Sequence, residues 1–192
     1  MSKFLIAGLG NIGADYAGTR HNIGFDVADA LAAKHGASFR SDRLADIAEY
    51  KWRGKPIFIV KPTTYMNLSG KAVKYWMDKE GIAVENLLVV VDEIAIPQNK
   101  IRLRPSGSDA GHNGLSSIQA SLGTDKYPRL RVGIGNNYPK GMQVEYVLGK
   151  WTAEELPLIR VKVSHCVSIA ESFILQGIGP TMNQWNNLEI SL

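Results

Sequence analysis

The chain offers four histidines, a single cysteine and a scatter of acids, and these set the chemistry within reach. His21 and His112 stand in matching surroundings, His21-Asn22-Ile23-Gly24 and His112-Asn113-Gly114, each where a loop feeds a helix. Loops at element ends line the clefts of α/β proteins, so both histidines are candidates for moving a proton. A plainer reading makes Asn22 and Asn113 helix N-caps, which explains the asparagines and leaves the histidines unexplained. His35 beside Gly36 suits a helix C-terminus, and His165 beside Cys166 reads as a packed helical residue. Asp92 closes the most hydrophobic stretch, Leu87 to Val91. Carboxyl ends of strands are where open α/β sheets bind ligands, so Asp92 is placed either to orient a histidine or merely to cap a loop.

Competing chemistries find less support. There is no G-x-S-x-G elbow, and Cys166 falls inside a helical stretch, so a serine or thiol nucleophile is disfavoured. No His-x-x-x-His or similar spacing suggests a metal. Gly8, Gly10 and Gly13 match G-x-G-x-x-G after an apolar run, which nominates a dinucleotide. That fingerprint needs a helix opening at the third glycine and an acid closing a second strand about 20 residues on. Ala14 to Arg20 has no helical period, and the corresponding acids, Asp26 and Asp29, fall in a helix. These glycines are then expected simply to turn the chain. A histidine that activates water directly is the simplest hydrolytic reading.

The elements that must position these residues follow from periodicity and punctuation. Lys3 to Leu9 reads as a buried strand, and Ile23 to Lys34 as a helix ended by Gly36. Leu44 to Trp52 and Pro56 to Lys61, about Arg53-Gly54-Lys55, form a hairpin. Leu68 to Lys79 is helical, Leu87 to Val91 a strand, Asn113 to Leu122 a short helix and Arg129 to Ile134 a half-buried strand. Lys100, Arg102 and Arg104 form one basic row on a strand, Arg129 and Arg131 another, beside the Ser/Gly-rich loop Pro105 to Gly111. Such rows are either guarded sheet edges or a phosphate track for nucleic acid. A long helix spans Glu155 to Gln176, its start unsettled by Pro157; Gly177 to Pro180 is a break, and Met182, Trp185 and Leu188 form a short amphipathic tail. Interleaved strands and helices make the class α/β: a single domain over 1–192, a twisted mixed sheet flanked by helices, with the C-terminal helix and tail from about 152.

Composition agrees. The 192 residues are 45% hydrophobic and 21% charged, which is globular, and suffice for a core without disulfide or metal staples. No apolar run approaches a membrane span, and the apolar N-terminal stretch is too short for a signal peptide, so a cytoplasmic protein is expected. A net charge of +4 permits an anionic partner without demanding one.

Taken in order, the motifs resemble a known family. Gly8-Leu9-Gly10-Asn11-Ile12-Gly13 with Tyr16 and Thr19-Arg20-His21-Asn22, Lys61-Pro62-Thr63-Thr64-Tyr65-Met66-Asn67-Leu68-Ser69-Gly70, Asp92-Glu93, Gly111-His112-Asn113-Gly114-Leu115 and Arg129-Leu130-Arg131-Val132-Gly133-Ile134-Gly135 are similar to those of bacterial peptidyl-tRNA hydrolase. The resemblance implies a monomeric, metal-free esterase without cofactor, whose partner is peptidyl-tRNA and whose product is free tRNA. By motif position it implies that His21 is the general base and Asp92 its supporting carboxylate, and that Asn11 tells a blocked amino terminus from a free one. It further implies that Asn67 and Asn113 hold substrate, that Tyr16, Tyr65 and His112 line the binding cleft, and that Arg104 and Arg131 clamp the tRNA 5′-phosphate. The chain departs from the family at Ile12, where proline is usual, and at Asp109-Ala110, where glycines are usual before the second histidine; its tail from Met182 carries no Lys or Arg. A catalytically silent RNA-binding relative, and more remotely a dinucleotide-dependent oxidoreductase, are the alternative readings.

Overall fold

The computed structural model describes residues 2–192. One sheet of seven strands runs through it in the order β2-β3-β4-β1-β5-β7-β6. The strands are β1 (Phe4–Gly8), β2 (Arg40–Asp42), β3 (Ala45–Trp52), β4 (Lys55–Pro62), β5 (Leu87–Glu93), β6 (Ile101–Arg104) and β7 (Arg129–Gly133). The helices are α1 (Ile23–Lys34), α2 (Ser69–Glu80), α3 (Asn113–Leu122), α4 (Gln143–Val147), α5 (Leu156–Gln176) and α6 (Ile178–Trp185). β4, β1, β5 and β7 are mutually parallel, while β2, β3 and β6 add antiparallel edges. The expected α/β class with a mixed sheet is therefore what forms.

β1 is apolar throughout and β5 is apolar from Leu87 to Val91, because both faces of the parallel sheet are covered there. Phe4, Ile6, Leu88 and Val90 pack on the side of α1 and α5; Leu5, Ala7, Leu87, Val89 and Val91 pack on the side of α2 and α3. Arg53 and Gly54 both take positive φ, +49° and +79°, which is the two-residue turn that joins β3 to β4 without splaying them.

The glycines after β1 serve packing as much as turning. A Cβ on Gly8 would lie 2.1 Å from the carbonyl oxygen of Gly24, and one on Gly24 would lie 2.5 Å from the backbone of Leu9. Their absence lets α1 begin hard against the end of β1, so Gly8 is explained without a dinucleotide.

The structure adds two elements to those expected and replaces the break at Gly177 to Pro180 with a helix. β2 and α4 were not foreseen; every residue of β2 is exposed and α4 buries none, so neither carries a core-facing period. Gly177, at φ +84°, ends α5, but α6 starts at once, with Pro180 in its first turn where a missing N–H costs nothing. The same tolerance admits Pro157 near the start of α5. β6 is the outermost strand, and its open edge is clasped: Asn186 accepts from Leu103 N–H at 2.8 Å and donates to Leu103 C=O at 3.0 Å. Among the described residues no helix is long and apolar enough to cross a membrane.

Candidate active site

The parallel strands deliver their carboxyl ends to one side of the sheet, and there β5 presents Asp92, the turn before α1 presents His21, and the start of α3 presents His112. Asp92 is 5% exposed and bridges both rings: its Oδ2 lies 2.8 Å from His21 Nδ1 and its Oδ1 2.8 Å from His112 Nε2. The two rings sit 5.1 Å apart, centre to centre. They open on a cleft of about 140 Å³ lined also by Glu93, Ile94, Asn113 and, on α4, Gln143, Val144 and Val147.

The backbone decides which histidine keeps a free nitrogen. His112 is itself the N-cap of α3: its Nδ1 accepts from Gly114 N–H at 3.0 Å and Leu115 N–H at 3.3 Å. A backbone N–H can only donate, so Nδ1 carries no proton and Nε2 carries the one given to Asp92. Both nitrogens of His112 are thereby committed. His21 donates from Nδ1 to Asp92, and its Nε2 has no hydrogen-bond partner among the described residues. The capping role expected of Asn113 thus belongs to His112, because its ring reaches back to the N–H groups of the first turn.

Asn22 occupies the N-cap position of α1 but makes no side-chain capping bond. Its side chain accepts from Asn11 N–H and donates to Asn11 C=O, both at 2.9 Å, clasping the loop after β1. Asn11 in turn accepts from Met66 N–H at 2.8 Å through Oδ1, which ties down the segment bearing Tyr65 and Asn67. With that oxygen engaged, Asn11 offers its Nδ2–H₂ outward as a donor. Tyr65 is 61% exposed, Asn67 and Asn113 are exposed and Tyr16 is half-buried.

The electrostatics follow from these contacts. Burial alone would raise the Asp92 carboxyl, but the charges and hydrogen bonds of His112 and His21 outweigh it and bring it down to about 2. For His21, burial works against the charged ring, yet the hydrogen bond and charge of Asp92 prevail and its pKa is raised above the ordinary histidine value. His21, Asp92 and His112 are also the group among the described residues whose ligand-type atoms converge, within 4.8 Å of one another. In this arrangement the converging atoms pair with one another through the two hydrogen bonds.

The basic rows divide. Arg129, expected to project beside Arg131, is 1% exposed and donates to the carbonyls of Tyr127, Gly107, Ser108 and Asp125, so it is a fastener for the loop before α3. Arg131 pairs with Glu93 at 2.6 Å and with the Ser108 carbonyl at 2.7 Å, so the clamp candidate abuts the cleft wall. Arg104 is half-buried on β6, Arg102 is exposed opposite Arg131, and Lys100 pairs with Glu189. Ala110 takes the positive φ, +51°, that explains glycine as the usual occupant, and Asp109 accepts from Gly111 N–H, so its carboxylate organises the loop. Sequence reasoning missed Arg20, Glu93 and α4 as parts of the site's frame.

A model of the family described as peptidyl-tRNA hydrolase matches residues 5–191. A relative named peptidyl-tRNA hydrolase from Parabacteroides distasonis is 52% identical over 185 residues, covering 96% of this chain and 99% of its own. One of the same name from Bacteroides fragilis is 50% identical over 184 residues, covering 96% and 98%. Among solved structures, peptidyl-tRNA hydrolase from Acinetobacter baumannii shares 34% identity at a TM-score of 0.91, covering 97% of this chain and 95% of that one. A complex of peptidyl-tRNA hydrolase with N-propanol gives a TM-score of 0.92 at 34% identity, covering 98% and 96%. With sequence matched from end to end and the same sheet beneath it, the chain belongs to the peptidyl-tRNA hydrolase family.

Proposed function

We propose that this hydrolase cleaves the ester between a peptide, or an N-blocked aminoacyl group, and the terminal ribose of tRNA by water that His21 activates. The observation that carries this reading is the asymmetric pair on Asp92: His112 has no free nitrogen, whereas His21 keeps Nε2 open to the cleft with its tautomer held by the carboxylate. Water donates its proton to Nε2 as its oxygen attacks the ester carbonyl, and the resulting imidazolium is stabilised by Asp92. The same nitrogen returns the proton to the departing ribose oxygen. The positive end of α3, which starts on the cleft wall, and nearby side-chain amides favour the oxyanion of the tetrahedral intermediate.

Asn11 is read as the group that senses the α-nitrogen. Its Nδ2–H₂ welcomes a carbonyl oxygen of a blocked substrate and faces a free ammonium donor to donor. Asn67, Asn113, Tyr16, Tyr65 and His112 are read as the surface or frame for the peptide and the terminal nucleotide, and Arg104 with Arg131 as the contact for the 5′-phosphate. No cofactor enters these steps, and the protein is proposed to act as a cytoplasmic monomer organised as one domain. Release of tRNA from N-acetyl-aminoacyl-tRNA, against free aminoacyl-tRNA, tests the reading in wild type and His21→Ala. Selective release that His21→Ala loses by about 10² or more supports it. Binding of tRNA without turnover in wild type would favour the catalytically silent alternative.

A further inference from the structure

The turn that carries His21 is pinned by each of its side chains in a different direction: His21 to Asp92, Asn22 to the Asn11 backbone, and Arg20 away from the cleft centre. Arg20 is 8% exposed, and its side-chain partners all lie in α4 or in the stretch from α4 to the start of α5. Its backbone N–H donates to Gly149 C=O at 3.0 Å, Nη1 to Tyr146 C=O at 3.1 Å, and Nη2 to Glu155 Oε1 at 2.8 Å. The guanidinium carbon lies 4.3 Å from the Tyr146 ring centre and 5.3 Å from that of Trp151. A Cβ at Gly149 would sit 2.8 Å from Nη1, so a larger residue there would push the guanidinium aside.

α4 supplies Gln143, Val144 and Val147 to the cleft, yet it is five residues long and buries none of them fully. A helix that short does not persist by itself, and only Tyr146 and Val147 of it pack, partly buried, against the core. Beyond that packing its place depends on a few polar ties: those from Arg20 and the Tyr146 hydroxyl, which donates to Ile134 C=O at 2.5 Å. Glu155 is fixed on the far side by Thr152 N–H and by Gln98, so Arg20 is anchored to a rigid point.

We propose that Arg20 is a positioning residue for the hydrolysis, setting the spacing between His21 and α4, and hence the room for water and ester between them. The proposal rests on the reading of His21 as the base. Its consequence is that loss of the fork geometry at Arg20 acts on turnover through His21, with tRNA affinity little changed, since the basic residues of β6 and β7 are elsewhere.

The test uses the full chain with Arg20→Lys, which keeps the charge and loses the planar fork. Single-turnover rates and KM are measured on N-acetyl-aminoacyl-tRNA, in wild-type and His21→Ala backgrounds, with amide hydrogen exchange followed over 143–149. The expected result is a fall in kcat of about 10- to 100-fold, as sub-ångström to ångström misplacement of a reacting group produces. KM should stay within about three-fold, exchange should quicken over 143–149 but not in β1 or β5, and Arg20→Lys should add less than about two-fold in the His21→Ala background. Multiplying losses in the double variant, or a KM effect with kcat intact, would overturn the proposal. Should Arg20→Lys not fold, Glu155→Gln weakens the anchor while preserving its shape and must show the same non-additivity. If His21→Ala alone stays near wild-type activity, the base reading fails, and the exchange measurement still decides whether Arg20 holds α4.

Discussion

Asp92→Asn should disable the enzyme by placing a proton on the wrong nitrogen. The carboxylate accepts from two imidazoles at 2.8 Å each; an amide has one acceptor and one donor to offer them. The tautomer of His112 is not free to change, because its Nδ1 is held by Gly114 and Leu115 N–H. The amide oxygen must therefore face His112, and the NH₂ faces His21. If His21 kept its proton on Nδ1, two buried donors would confront each other, at about 1 to 3 kcal/mol apiece. Water offers little relief at a side chain only 4% exposed. The competent tautomer is then disfavoured by on the order of 2 to 6 kcal/mol, or roughly 30-fold to 10⁴-fold at about 1.4 kcal/mol per decade, before counting the lost support for imidazolium. Single-turnover cleavage of N-acetyl-aminoacyl-tRNA should fall within that range with KM little changed, and raising the pH should not restore it, because the fault is the tautomer rather than the charge. Nitrogen-15 NMR should show the His21 proton moved from Nδ1 to Nε2. A loss of less than ten-fold, or a proton still on Nδ1, would refute the chain of reasoning from the α3 cap to the base.

Asn11→Asp keeps an acceptor for Met66 N–H and turns the outward donor into a carboxylate oxygen, so cleavage of free aminoacyl-tRNA should rise relative to the acetylated form; an unchanged ratio removes Asn11 from this role. Arg104→Ala with Arg131→Ala should raise KM for whole tRNA and flatten the salt dependence by a slope of about 0.7 to 0.9 per lost phosphate contact, and an equal loss on a minimal substrate without the tRNA body would count against the clamp. Asp26 is moved from 3.8 to about 6 by burial and then by Asp29, against the pull of Lys61. Its folded pKa lies above the unfolded one, so stability declines as pH rises from about 4 through 6, by at most about 3 kcal/mol. Asp26→Asn should therefore raise the melting temperature at pH 7.5 and leave it unchanged at pH 4, and an equal gain at both would show that charge is not the cause.

The parts of this protein legible in its sequence are those where one pattern has one physical meaning. The uninterrupted apolar runs of β1 and β5 mean strands covered on both faces, and an acid at the end of such a strand lies where parallel strands gather their carboxyl ends. Side-chain roles were harder to read wherever two neighbours could exchange jobs. Asparagine outranks histidine as an N-cap, so the sequence favours Asn113, yet the ring of His112 reaches the same N–H groups and is locked by doing so. Arg129 and Arg131 share a strand face and cannot be told apart by alternation; only the carbonyls of the loop above Arg129 show that it is spent internally. α4 is illegible because its five residues bury no side chain fully, and part of what holds it lies more than a hundred residues away at Arg20.

The clasp of Asn186 on Leu103 bears on how the chain is made. β6 pairs with β7 on one side only, and its outer N–H and C=O groups are met by a side chain eighty-three positions downstream, reinforced by Ile190 N–H on Asn99 C=O. During synthesis from the N-terminus, the sheet can assemble through β7 while that edge still lacks its cover. A nascent molecule at this stage presents a bare strand able to pair with another chain. The segment that follows α6 therefore covers this edge only once residues 186 to 190 are in place, and until then the strand stays open to pairing.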